Sequence, residues 1–315
     1  MPEGVSAGPK RDAVAAALLL GVAVVFWGGS FRATAVATEH TSGLMLSALR
    51  ALPAALLLVV AVPILGARLP RGRLWLWAAV TGLLGVTLFF YGLSEGTALS
   101  GPGNAAVLAN TPPFFVLVLG WIFLGERITA AGLVGLVIGF AGVVVMVSSQ
   151  LGGGLDTADL ALGMGLSLAA AASWGVTTLL VKWLADRDPQ LDVLGLTAGQ
   201  FVVGGAVLGI LAFVVDGTGG TEWTSGELWS ALAWLAIGAS ALAYFAFFAA
   251  LKRASATAVS ASLFLVPVVA VLVEAARGNP PGIVVGVGMA LAVAGVALVL
   301  FAPQLEARRV VAQRA

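Results

Sequence analysis

The chain has 315 residues, 60% of them apolar and only 10% charged, with a mean hydropathy of +1.05. A soluble domain carries about a quarter charged residues, so this composition excludes an ordinary soluble fold and points to many membrane crossings. The lack of cysteine excludes disulfide and thiolate chemistry, one histidine (His40) argues against a metal centre, and a net charge of +1 without a long basic patch argues against nucleic acid.

The uncharged runs predict ten helices, near 13–37, 43–65, 74–94, 104–124 and 130–147, then 160–181, 193–215, 228–250, 257–276 and 283–302. Each is close to the roughly 20 residues that cross a bilayer core of about 30 Å. They are about twice as long as a barrel strand and lack its alternation, and in lipid the helix is the other way to satisfy the backbone. The first run follows Lys10-Arg11 and ends in small residues, as a signal peptide does. Its apolar part exceeds the roughly 7–15 residues of a signal core, so an uncleaved helix is expected.

Cytoplasmic joints carry the excess of lysine and arginine. With the N-terminus inside, the even joints and both tails hold thirteen of the sixteen Lys and Arg residues, whereas the outer joints hold only Arg277. The expectation is a multi-pass inner-membrane protein with both termini cytoplasmic, as a monomer or weak dimer. Its divisions are a tail (1–12), a five-helix repeat (13–148), an extracytoplasmic linker (149–159), a second repeat (160–302) and a tail (303–315).

The halves correspond in order. Trp27-Gly28 matches Trp174-Gly175, Arg50 matches Gln200, Ala98-Leu99 matches Ala250-Leu251, Pro113 matches Pro267, and Ala141-Gly142-Val143 matches Ala294-Gly295-Val296. An odd number of helices per repeat turns the second copy upside down, and inverted repeats of this kind enclose a midplane site in secondary transporters. In the fifth and tenth helices Ala131, Gly135 and Gly139, and Gly286, Ala290 and Ala294, have the four-residue spacing of close helix packing.

The segments Phe26-Trp27-Gly28-Gly29-Ser30-Phe31, Ser47-Ala48-Leu49-Arg50, Gly103-Asn104-Ala105-Ala106, Pro112-Pro113, Leu124-Gly125-Glu126-Arg127 and 264–270 together resemble the EamA-type family of the drug/metabolite transporter superfamily. The resemblance covers nearly the whole chain. It implies an all-α polytopic membrane protein of ten transmembrane helices in two inverted five-helix repeats, with a cavity formed mainly by helices other than the fifth and tenth. It also implies export of amino acids, other metabolites or toxic organic molecules. The second copy departs from the pattern, with Gly278-Asn279-Pro280-Pro281 where Gly-Glu is expected and Glu274 as an unexpected charge that stands as a candidate to compensate.

Ionisable side chains inside membrane helices are costly and are therefore functional candidates. Arg50, about 10 Å from the outer end of its helix at 1.5 Å per residue, leads them. Its alternative is a snorkelling or ion-paired structural arginine. Arg32 and Glu95 are candidates for gating or coupling. Arg32 reads first as a snorkelling arginine, and Glu95 equally as a partner of Arg50 or a hydrated interfacial carboxylate. Protons as a coupling ion would require burial to raise the Glu95 carboxyl pKa.

Asn104, Asn110 and Thr111 interrupt an apolar helix just before Pro112-Pro113, which lack backbone donors. The break either frees a carbonyl for solute or is a kink satisfied by a neighbour. Trp27, Tyr91, Trp174 and Tyr244 suit a cavity wall, and Gln200 places a neutral amide where the first half has Arg50. The expected solute site is therefore Trp27, Arg50, Tyr91, Asn104, Asn110, Trp174, Gln200 and Tyr244, with the solute and the lipid bilayer as partners and no cofactor or metal. A membrane enzyme acting on lipid-linked substrates and a non-transporting receptor or structural protein are the competing readings.

Overall fold

The computed structural model describes residues 9–126, 129–148 and 157–314. Residues 1–8 of the expected N-terminal tail, Arg127, residues 149–156 of the expected linker and Ala315 lie outside the described residues. Among the described residues, ten helices are long and apolar enough to span a membrane: α1 (Arg11–Thr38), α2 (Gly43–Ile64), α3 (Arg73–Ser100), α4 (Asn104–Leu124), α5 (Ala130–Val147), α6 (Ala158–Arg187), α7 (Val193–Val215), α8 (Gly226–Leu251), α9 (Ala256–Ala276) and α10 (Ile283–Phe301).

Their starts follow local chemistry. The side chains of Ser42, Thr129, Asp192, Ser225 and Ser255 each accept the backbone N–H three residues on, at 2.9–3.2 Å, opening α2, α5, α7, α8 and α9. Gly125 ends α4 and Gly278 follows α9 with φ of 65° and 94°, the left-handed conformation that glycine reaches without a Cβ penalty. Helix α3 runs six residues beyond its expected end at 94. Glu95 therefore lies within a span.

Two spans of each half are irregular, at matching places. Leu83–Leu88 of α3 and Trp234–Leu242 of α8 are π-helical, a geometry that often marks functional sites. Helix α4 breaks at Asn110 and Thr111 before Pro112, and α9 tightens into a 3-10 turn at Ser262–Leu265 before Pro267. The hydroxyls of Thr111 and Ser262 donate to Leu108 O and Val259 O at 2.6 and 2.7 Å, three residues back.

The packing pairs follow the same pattern. Helix α2 packs on α7 and α5 on α10; α3 packs on α6 as α1 does on α8; α4 packs on α6 as α1 does on α9. A Cβ on Gly142 would sit 2.5 Å from Ala292 N, and one on Gly135 would sit 2.8 Å from Gly295 O, so α5 and α10 meet almost backbone to backbone. The packed stripe of α10 is Gly288, Ala292 and Gly295, and the expected Gly286, Ala290 and Ala294 are exposed. This corrects the predicted face. Helix α10 carries two small-residue stripes and is apolar all round within the membrane, so no polar side distinguishes them.

Candidate functional site

A cavity of about 650 Å³ lies between α1, α2, α3, α4, α6, α8 and α9, and among the described residues none of α5, α7 or α10 lines it. Its upper wall reaches the exposed Thr38 and Ser42 at the α1–α2 joint, and its floor is formed by Trp27, Trp174 and Tyr244.

The floor is an aromatic cluster. The Trp174 ring meets Tyr244 edge-on at 4.9 Å and Trp27 edge-on at 5.6 Å, and lies 5.0 Å from Phe89. Edge-to-face contacts of this kind add about 0.5–1.5 kcal/mol each beyond area burial. Both π segments anchor the floor. Trp27 Nε1 donates to Ala239 O at 2.8 Å, and Tyr244 Oη donates to Gly85 O at 3.0 Å. The repeat-related Trp174 differs from Trp27, for its indole N–H is buried without a partner.

Among the described residues, Arg50 is the only charged one that lines the cavity. Its Nε donates to Ser240 Oγ at 3.0 Å, in the π segment of α8, and its Cζ lies 4.3 Å from the Phe90 ring centroid, a cation–π contact. Helices α2 and α3 also meet here through hydroxyls, Ser47 Oγ and Ser94 Oγ being 3.0 Å apart. Gln200, the repeat counterpart of Arg50, crosses in the same manner to α3, its Nε2 donating to Thr81 Oγ1 at 2.9 Å.

The break in α4 forms part of the wall. The Asn110 amide N–H turns to Val107 O, and its side chain takes over Ala106 O at 2.8 Å. Pro113 has no N–H for Ala109 O, so that carbonyl loses its helical donor beside the cavity.

The two ends of the bundle differ. At the mouth, the α1–α2 joint is tied to the α7–α8 joint. Thr41 Oγ1 and Thr221 Oγ1 are 2.8 Å apart, Ser42 Oγ donates to Asp216, and His40 Nδ1 lies 2.8 Å from Glu222 Oε2 with its Nε2 3.6 Å from Glu227 Oε2. The hydrogen bond to Glu222, supported by Glu227, holds the His40 pKa above its ordinary value, against a smaller opposing effect of desolvation. At the far end, the Glu126 carboxylate accepts from Ala256 N at 2.8 Å, Thr257 N at 3.3 Å and Thr257 Oγ1 at 2.8 Å, capping α9 from the α4–α5 joint. Lys252 Nζ donates to Pro189 O and Leu191 O, and Asp192 accepts from Arg68 N at 2.7 Å.

Of the residues singled out in the sequence, the structure gathers Trp27, Arg50, Asn110, Trp174 and Tyr244 on the cavity wall. Tyr91 is 37% exposed on another face of α3, and Glu95, four residues on, shares its stripe rather than that of Phe90, Ser94 and Thr97. No ion pair joins Glu95 to Arg50 among the described residues. Asn104 donates to Ser100 O at 2.7 Å within the α3–α4 turn, and Gln200 is buried between α7 and α3. Arg32 faces away from the cavity and lies 3.8 Å from Glu274, which also accepts from Asn279 Nδ2 at 3.2 Å. The partners of Glu274 are thus on α1 and its own joint, where no counterpart of the Glu126 cap is formed. Phe89, Phe90 and Ser240 escaped the sequence reading. Ser47 and Ser94, small hydroxyls in long apolar runs, are the signal that could have pointed to that wall.

Comparison with known proteins places the chain in context. The model of the EamA-like transporter family matches twice, over residues 14–148 and 161–301. An uncharacterized transporter of Bacillus subtilis, YvbV, is 30% identical over 81% of each chain. A probable terminal-alkyne amino-acid exporter of Streptantibioticus cattleyicolor is 31% identical over 88% of this chain and 90% of its own. The aromatic amino acid exporter YddG of Ancylobacter novellus is 26% identical over 70% and 73%. A solved crystal structure with 23% identity superposes on 92% of this chain and 98% of its own with a TM-score of 0.79, a likeness of fold.

Proposed function

The chain belongs to the EamA-like transporter family, and from that premise we propose that it exports a small, amino acid-like organic solute across the inner membrane by alternating access. The observation that carries this reading is a cavity open at one end of the bundle and sealed at the other. Relatives named as amino-acid exporters support the solute class. The paired π segments and paired breaks support two repeats, 13–148 and 160–302, inverted because each has five spans.

With both termini cytoplasmic, as the distribution of Lys and Arg favours, the mouth at Thr38 and Ser42 faces outward and the Glu126 seal faces the cytoplasm. Solute binds between Arg50 and the aromatic floor, with Asn110 and the Ala109 carbonyl as neutral acceptors. Rocking of the two halves closes the His40–Ser42 side and parts Glu126 from α9. The seal crosses between halves, from the α4–α5 joint to α9, so it is a contact that such a motion must break.

A panel of candidate solutes tested for thermal stabilisation of the purified protein identifies binders, since a ligand of the native state stabilises it by mass action. Counterflow of a stabilising solute into preloaded proteoliposomes, recovered chemically unchanged, is the expected outcome. Chemical conversion of the solute, or binding without movement, sinks the transport reading.

A further inference from the structure

The charge inventory of the cavity is lopsided. Among the described residues its lining contains Arg50 and no aspartate, glutamate or lysine. Ser240 engages only Nε of the guanidinium; among the described residues neither terminal amine is bonded within the protein, and neither is sealed from solvent. Three acids near the mouth are already engaged, Asp216 by Ser42 and Glu222 and Glu227 by His40, and the exposed Glu39 beside Thr38 does not line the cavity.

Other donors on the wall are turned inward. The hydroxyls of Ser30 and Thr97 donate to the backbone carbonyls of Trp27 and Leu93 at 2.6 and 2.7 Å, and Trp27 Nε1 is held by Ala239 O. Among the described residues the pair of terminal amines is therefore the open charged group of the site, beside the unpartnered but buried Trp174 N–H. A guanidinium presented end-on, with its side edge fixed by a serine and its face packed on a phenylalanine, matches the two oxygens of a carboxylate.

We propose that the cavity selects its solute by a carboxylate docked end-on to Arg50, with an apolar or aromatic body on the Trp27, Phe89 and Trp174 walls, and that an amine on the solute is tolerated but not read. An ammonium finds no carboxylate on the described lining, only neutral acceptors such as Asn110 Oδ1, Ala109 O and hydroxyls, and a cation near Arg50 is repelled as strongly as a carboxylate there is attracted. The proposal rests on the transport reading above and specifies its substrate as an apolar monocarboxylate, with zwitterionic amino acids as one subset.

Three probes with one body separate the headgroups: indole-3-propionate, L-tryptophan and tryptamine. Binding of each to the purified full chain is measured by thermal stabilisation over a concentration series. A hydrogen bond to a charged group contributes about 1.5–3 kcal/mol, so both carboxylates are expected to bind about 10- to 100-fold more tightly than tryptamine. Arg50→Gln should bring the three together, and Arg50→Lys should keep the order with a smaller spread. Should Arg50→Gln not fold, the order of the probes on the wild type decides alone. Tryptamine binding as tightly as the two carboxylates overturns the proposal, as does stabilisation by L-tryptophan without indole-3-propionate. Failure of all three probes overturns it too, whereas counterflow of any other solute would leave the transport reading standing.

Discussion

Replacing Glu126 by alanine removes the carboxylate that closes the far end. The carboxylate accepts two bonds of 2.8 Å and one of 3.3 Å from the first turn of α9. Loss of a helix N-cap costs about 0.5–2 kcal/mol, and the negative charge facing the helix dipole contributes about 0.3–1 kcal/mol more. Glu126 is half-buried, so solvent screening reduces the sum, and about 2 kcal/mol is the working figure. The seal exists only while this end is closed, so its loss shifts the open population by about thirty-fold, at tenfold per 1.4 kcal/mol. The chain has no cysteine, so a single one placed at Leu179 reports cleanly. Leu179 is 6% exposed and lies beneath Gly120, where an added Cβ would sit 3.5 Å from Leu179 and 3.7 Å from Glu126. Modification of that cysteine by a membrane-impermeant maleimide should accelerate by an order of magnitude or more in Glu126→Ala, and by less in Glu126→Gln. An unchanged rate in folded Glu126→Ala protein refutes the latch.

Gly295→Val should strongly lower the melting temperature, because its added atoms collide with Gly139 and Gly135, and overpacking costs about 1–3 kcal/mol or more. Gly286→Val, on the exposed stripe with nothing within 4 Å, should melt like the wild type. Tyr244→Phe leaves the Gly85 carbonyl without its hydroxyl donor in a buried setting, and should cost about 1–3 kcal/mol by thermal or denaturant unfolding. At the mouth, the raised His40 pKa means that the protonated clasp stabilises the fold fully below the ordinary value and loses that contribution as pH rises through the higher folded value. Melting temperature should therefore fall across that window in the wild type, and His40→Gln should remove the step.

Hydropathy and length made the ten spans legible, because a bilayer imposes the same requirement on every crossing. Of the mid-span aromatic and ionisable residues that the sequence singles out, Trp27, Arg50, Trp174 and Tyr244 line the cavity. What the sequence did not carry was rotation about each helix axis. Tyr91 and Glu95 are one stripe away from the cavity, Gln200 faces α3, and the small-residue stripe of α10 is displaced onto Gly288, Ala292 and Gly295. In an apolar helix no polar face fixes that rotation. The π segments were also invisible, since Leu83–Leu88 and Trp234–Leu242 contain no proline and read as ordinary apolar helix. The pairing of Arg32 with Glu274 depends on α1 meeting α9, which no spacing along the chain encodes. The duplication thus marked the scaffold, while the asymmetries that distinguish the site, Arg50 against Gln200 and Glu126 against Asn279, acquired meaning only from their contacts.

Counterflow by Arg50→Ala tests the central claim most directly. Wild type and variant are reconstituted at equal density after folding is checked by melting and gel filtration, and loaded with the solute that most stabilises the wild type. The account predicts rapid labelled uptake into wild-type vesicles and none above empty liposomes for Arg50→Ala. Uptake by the folded variant at the wild-type rate would contradict it, because the solute would then cross without the Arg50 charge on the cavity wall.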